Sequence, residues 1–168
     1  MDLRSLQKPF KDRYRADPTA SRITLRATGS QTATPMACSV DIGRALYQAE
    51  AHSGVGGPGT AACSGDLLLG ALAACAQITC QMVATALGIP FERIEAVVEG
   101  DLDLRGTLGV SKDVPVGFKQ IRLHFDLDTD ASEEQRANLI RLTERYCVVY
   151  QTLNQPPNIA VSHRVTPR

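Results

Sequence analysis

The sequence contains no tryptophan, and its 168 residues include only four phenylalanines and four tyrosines. So few aromatics leave no stacking platforms of the kind single-strand nucleic-acid binders rely on. Charge excess is missing too, because 18 lysines and arginines face 18 aspartates and glutamates. That balance excludes the basic stripe of a general nucleic-acid binder. No C-x-x-C pair occurs, and His52, His124 and His163 stand far apart, so the spacing recommends no metal site. Met1 to Tyr14 lacks the apolar stretch of a secretory signal, and a reduced, cytoplasmic setting is expected from that. The run Gly54-Val55-Gly56-Gly57-Pro58-Gly59-Thr60 lacks the Gly-Lys-Ser/Thr of a phosphate-binding loop and opens no dinucleotide-binding unit. Beside a helix start, it reads instead as a mobile lid.

What remains is an ordinary globular composition, 43% hydrophobic and 21% charged, which excludes disorder. The length fits one domain with its own core. Residues 1–20 read as a polar extension without clear periodicity, and residues 21–168 as the single domain. Strand-like alternation starts at Ile23-Thr24-Leu25-Arg26-Ala27, and Gly29-Ser30 reads as a turn. Further strands are expected over Thr32 to Ile42 and Ala45 to Ala49.

The most unusual stretch is Asp66 to Leu87, DLLLGALAACAQITCQMVATAL, with no charged residue between Asp66 and Glu92. Ser64 is the expected N-cap, Asp66 suits the first turn, and Gly88 with Pro90 closes the helix. Its length would suit a bilayer, but Gln77, Thr79, Gln81 and Thr85 occupy its middle and no basic residue flanks its start. A helix apolar all round must be buried all round. One sheet hides only one face, so the missing cover is expected from a second copy in an obligate homodimer.

Arg93 to Leu104 and Phe118 to Asp128 alternate as strands around a loop, Gly106 to Gly117. Glu99, Asp101 and Asp103 read as an acidic stripe on a solvated face. Ser132-x-x-Gln135 is a capping box opening a second helix that runs to about Asn154. Leu139, Leu142, Tyr146, Val149 and Leu153 form its apolar stripe. Pro156-Pro157 stops it, and Asn158 to Val165 reads as a last short strand. Strands, helix, strands, helix and strand in that order mean an α+β fold.

Five cysteines carry whatever chemistry the chain has. Cys75 lies on the apolar helix among Leu68, Ala71, Leu72, Ile78, Thr79 and Met82, and reads either as a small core hydrophobe or as a reactive thiol. Cys147 falls beside Tyr146, at the border between the second helix's apolar stripe and its polar surface. It reads either as a boundary residue or as a second thiol. Cys38, Cys63 and Cys80 read as structural.

The stretch SGDLLLGALAACAQIT, the glycine-rich loop before it and the later RYCVVYQTL together resemble the osmotically inducible protein C and organic hydroperoxide resistance (OsmC/Ohr) family over about residues 45–155. The resemblance implies an OsmC-like fold: antiparallel sheets around a long buried central helix, in an intertwined homodimer with active sites at the subunit interface. It implies an enzyme, a thiol-dependent peroxidase in which Cys75 attacks an organic hydroperoxide and Cys147 resolves the sulfenic acid as a disulfide. An external thiol reductant restores the pair, without metal or organic cofactor. Members carry Pro-Glu at the helix start, matched here by Ser64 and Gly65, which leaves Asp66 as the possible auxiliary acid. Arg22, Arg26 and Arg44 are the regional candidates for an activating arginine. The alternatives are a non-catalytic dimer binding a small apolar ligand, and a cysteine redox sensor of the same fold. Neither a nucleic acid nor a membrane is an expected partner.

Overall fold

The computed structural model describes residues 3–17, 20, 22, 24, 28–31, 37–41 and 45–166. The expected strand at Ile23 to Ala27 therefore lies largely outside the described residues, as does much of the one expected at Thr32 to Ile42. In chain order the elements are α1 (Leu3–Ala16), β1 (Thr28–Gln31), β2 (Ala37–Asp41), β3 (Leu46–Glu50), α2 (Ser64–Leu87), β4 (Arg93–Asp101), α3 (Leu104–Thr107), β5 (Gln120–Asp128), α4 (Glu133–Tyr146) and α5 (Val148–Asn154). β1, β2 and β3 form one antiparallel sheet in that order, and β4 pairs with β5 in another. The architecture is α+β, with antiparallel sheets and one long central helix.

Strict alternation positions β4 and β5 on the helix. Ile94, Ala96, Val98 and, across the ladder, Ile121, Leu123, Phe125 and Leu127 turn inward. The other face carries charge. Arg93 bonds Glu95 at 2.5 Å and Asp126 at 2.7 Å, and Arg122 bridges to Glu99 and Asp101, so the acidic stripe is an exposed, paired face. Asp103 leaves that face to cap α3 and pair with Arg105.

α2 meets this sheet through one line of residues, Leu72, Ala76, Cys80 and Ala84, spaced by four and all buried. Gln77 adds a polar clamp. Its Nε2 donates to the Ile94 carbonyl at 2.7 Å, and its Oε1 accepts from the Ala96 amide at 2.8 Å. Those are β4 backbone groups on the edge away from β5, and an orphaned amide there would cost about 1–3 kcal/mol. The central polar residue is thus what ties the helix to the sheet. Although α2 is long and apolar enough to cross a membrane, it is the core helix of a folded domain.

Several local expectations are corrected. Leu3–Ala16 is a helix, not an aperiodic extension: Leu3, Leu6, Phe10 and Tyr14 recur at three and four, and that spacing is the signal. Gly29 and Ser30 lie inside β1 rather than in a turn. The N-cap of α2 is Cys63, not Ser64, and its amide donates to Asp66 Oδ2 at 2.9 Å. Asn158 to Val165 joins no ladder among the described residues, and Ile159, Val161 and Val165 stand exposed. The second helix does not run unbroken to Asn154. It stops at Tyr146, and Cys147, extended at φ −72° and ψ 108°, separates α4 from α5. Burial of α2 within one chain is confined to its inner line; Leu68, Ile78 and Met82 are exposed, Ile78 by 56%. A single sheet and one helix pair cover one side of a cylinder.

Candidate active site

Cys75 belongs to α2, and Cys147 to the break between α4 and α5. Both helices still hold the junction, since the Cys147 amide donates to the Thr143 carbonyl at 2.9 Å and its carbonyl accepts from the Gln151 amide at 2.9 Å. The turn swings the Cys147 side chain inward, where it is 1% exposed and packs with Leu72 and Ala76. Its expected place at the core's border is corrected: Tyr146 takes the outer position, 59% exposed. The helix interruption accounts for the exchange.

The two cysteines meet. Both are free thiols, Cys75 half-buried and Cys147 buried, within one cluster that includes Val149, Tyr150 and Leu153. Burial pushes the Cys75 thiol upward. Hydrogen bonds from the Val149 amide, the Cys147 thiol, the Val148 amide and the Thr79 hydroxyl more than offset this and hold it below the ordinary thiol range. Cys147 moves the other way. Burial raises it, the neighbouring Cys75 raises it further, and the Tyr150 and Val149 amides only partly compensate. The environment therefore pushes two identical groups in opposite directions.

Among the described residues the partners of Cys75 include no cation. Arg22 is exposed, while Arg26 and Arg44 lie outside the described residues. Backbone amides freed by the helix break supply the positive end of the interaction. Spacing could not have pointed to them, because amides carry no sequence letter; Thr79, four residues after Cys75, was legible as a neighbour. Asp66 lies nine residues before Cys75, about 14 Å along the axis, and is engaged at the helix start. Bonds from the Cys63 amide and side chain push its carboxyl below the usual range, with His52 adding attraction.

The loop before α2 is tied at its far end to β3. The Glu50 carboxylate accepts from the Thr60 amide at 2.9 Å, the Thr60 hydroxyl at 2.8 Å and the Ala61 amide at 3.1 Å. Gly57 is obligatory there, since a Cβ would lie 1.6 Å from the Ala51 carbonyl oxygen. His52, Cys63 and Asp66 line a cavity of about 250 Å³ at this end of α2. Cys80 sits elsewhere, in the core with its thiol against Thr143, and burial raises it. The Cys38 side chain lies outside the described residues. Among the described residues no group of three or more His, Cys, Asp or Glu could hold a metal ion.

A larger cavity, of about 460 Å³, opens between β5 and the α4–α5 pair. Leu72, Tyr150 and Leu153 belong both to its wall and to the thiol cluster, and Lys119 and Glu144 lie on its lining.

No curated protein sequence matches this chain. Among solved structures it resembles an OsmC-like protein from Mycoplasma pneumoniae, at 18% identity and a TM-score of 0.67 over 80% of this chain and 89% of that one. An organic hydroperoxide resistance protein OsmC from Legionella pneumophila is 19% identical, with a TM-score of 0.61 over 80% and 92%. An organic hydroperoxide resistance protein from Elizabethkingia anophelis is 16% identical, with a TM-score of 0.64 over 81% and 91%. At these identities the likeness establishes the fold. The sequence model of the OsmC-like proteins covers residues 57–162, from the glycine-rich loop through both cysteine-bearing helices and beyond. With the fold and the bulk of the sequence in agreement, the chain belongs to the OsmC-like protein family.

Proposed function

We propose that the protein is a thiol peroxidase that reduces organic hydroperoxides. A single observation carries the reading: a half-buried Cys75 packs in one cluster with a buried Cys147, and their surroundings favour the thiolate of the first and disfavour that of the second. The Cys75 thiolate attacks the terminal oxygen of the hydroperoxide. A sulfur–oxygen bond forms, the oxygen–oxygen bond breaks, and the alcohol leaves after taking a proton. The resulting sulfenic acid is attacked by Cys147 sulfur, which gives up its proton; water departs and a disulfide remains. Two equivalents of an external thiol then return both sulfurs to the reduced state as they become a disulfide themselves. The chemistry needs no metal or organic cofactor. The names of the Legionella and Elizabethkingia proteins agree with a role against organic hydroperoxides, and the reducing thiol fits a cytoplasmic setting.

A homodimer belongs to the same reading. Leu68, Ile78 and Met82 are 38%, 56% and 38% exposed on the α2 flank that also carries Cys75. A second copy laid on that flank would dry the thiol and complete the pocket. Sedimentation should give a dimer at micromolar concentration, and a stable folded monomer would refute it.

Cys75→Ser is expected to abolish cumene hydroperoxide removal with dithiothreitol as reductant. Cys147→Ser should stop turnover and leave a sulfenic acid on Cys75 that dimedone labels. Equal rates for the wild type and Cys75→Ser would overturn the peroxidase reading. A second reading rests on the cavity of about 460 Å³: a non-catalytic binder of a small apolar ligand. That reading wins if Cys75 titrates at or above the free-thiol value of about 8.5.

A further inference from the structure

We propose that α1 is a docking helix for an anionic lipid surface. The inference goes beyond the peroxidase reading and does not depend on it, because no residue of α1 belongs to the thiol cluster.

The zero net charge of the whole chain conceals an uneven division. Leu3–Ala16 holds five basic residues, Arg4, Lys8, Lys11, Arg13 and Arg15, against one acid, Asp12. The helix therefore carries +4 and the rest of the chain −4. The polar residues of α2 argued against a membrane span. α1 is a different case: its 14 residues reach about 21 Å, too short to cross a bilayer and suited to lie along its surface.

Helical register sorts the charges. At about 100° per residue, Arg4, Lys8, Lys11 and Arg15, spaced by four, three and four, fall within about 60° of one another. Leu3, Leu6, Phe10 and Tyr14 form a separate apolar stripe, and Arg13 flanks its far edge. An apolar stripe between basic edges is the pattern of a helix at a lipid–water boundary, where cations meet headgroup phosphates. Lys8, Lys11, Arg13 and Arg15 are all exposed. Asp12 pairs with Lys8 and, at 3.1 Å, with Arg15, yet those two cations keep 74% and 75% of their side chains in solvent. One carboxylate shared by two cations leaves positive charge over, and exposed pairs of this kind are worth little. Arg93 and Arg122, by contrast, are each held by two carboxylates on the outer face of β4 and β5. The partner complementary to α1 presents negative charge with an apolar layer behind it, which describes a lipid leaflet rather than a nucleic acid.

The test is co-sedimentation of the full-length protein with phosphatidylcholine vesicles, pure or with phosphatidylglycerol replacing about a third of the lipid. At about 0.1 M salt the wild type should bind the anionic vesicles and not the pure ones, and about 0.5 M salt should release it. Each cation near such a surface contributes about fivefold, so Lys8→Gln with Lys11→Gln should weaken binding roughly 25-fold. Lys8→Arg with Lys11→Arg should retain it. Lys112→Gln with Arg141→Gln removes the same charge from exposed sites outside α1 and should leave binding within about twofold of the wild type. Equal losses in the two glutamine pairs would overturn the proposal, as would a loss in the arginine pair, equal binding to both kinds of vesicle, or tighter binding to a DNA duplex at the same salt. If the wild type ignores anionic vesicles and the α1 glutamine pair instead changes its oligomeric state, α1 covers a second copy and the proposal falls. None of these readouts involves hydroperoxide removal, so they stand whatever Cys75 does.

Discussion

Cys75 and Cys80 lie five residues apart on one helix, about 140° around its axis. Both have aliphatic neighbours, and apart from the family resemblance, helix spacing alone gives no physical reason for their different readings. Their surroundings do. Cys80 points along the inner line of α2 into a cluster with Ala84, Ile89, Ile94 and Leu139, where burial raises its thiol and Thr143 offers little relief. Cys75 points to the α4–α5 break, where two amides, a thiol and a hydroxyl converge on it. Five residues of helix separate a cysteine sealed in the core from one that meets a second thiol. What distinguishes them is the number of hydrogen-bond donors that other segments bring, because desolvation acts on both in the same direction.

The largest effect expected from this contrast is in reactivity. In the native protein at neutral pH, Cys75 should be alkylated by iodoacetamide faster than Cys80 by on the order of a thousandfold or more, since Cys80 reacts only when the core opens. Urea should erase the difference. Comparable native rates, measured peptide by peptide, would break the contrast. A smaller effect separates the two in stability. Cys80→Ala removes a fully buried sulfur and should lower the unfolding free energy by about 1–2 kcal/mol in urea titration, while leaving Cys75 alkylation and hydroperoxide removal unchanged. A change in Cys75 chemistry would mean the two sites are coupled.

The smallest expected effect concerns pH, and the two cysteines carry opposite signs. The folded chain disfavours the Cys80 thiolate, so the stability linked to its neutral thiol is complete below the unfolded value of about 8.5 and is lost as pH rises toward the folded one. Cys147 behaves likewise. Cys75, lowered in the fold, contributes stability above about 8.5 that is lost as pH falls through its folded value. The urea midpoint of the wild type should therefore fall in alkali, and Cys80→Ala should flatten part of that fall. An equal slope in both proteins would remove Cys80 as a cause.

Much of the fold could be read along the chain because the relevant forces are local. The charge-free run and Gly88 delimit α2, the period of two delimits β4 and β5, and Ser132 with Gln135 starts α4, bonded at 2.9 and 3.2 Å. The first helix went unread although Leu3, Leu6, Phe10 and Tyr14 recur at helical spacing, because the charges between them hide that stripe. Less legible was the continuation past Tyr146. A stripe drawn through Leu139, Leu142, Tyr146, Val149 and Leu153 assumes one unbroken helix, and the interruption at Cys147 rotates everything after it. Asn158 to Val165 alternates like a strand, yet alternation names no partner, and within one chain the described residues provide none.

By itself the sequence determined the central helix α2, the strands β4 and β5 and the start of α4, and that Cys75 lies on the long apolar helix with Cys147 in the later helical stretch. Capping, turn chemistry and hydrophobic period act over a few residues, so they survive translation into letters. Only the tertiary structure decided that Cys147 is buried, that Gln77 clamps β4, and that the amides of Val148 and Val149 face Cys75. These depend on backbone groups present in every residue and on which of them packing leaves unpaired at one point in space.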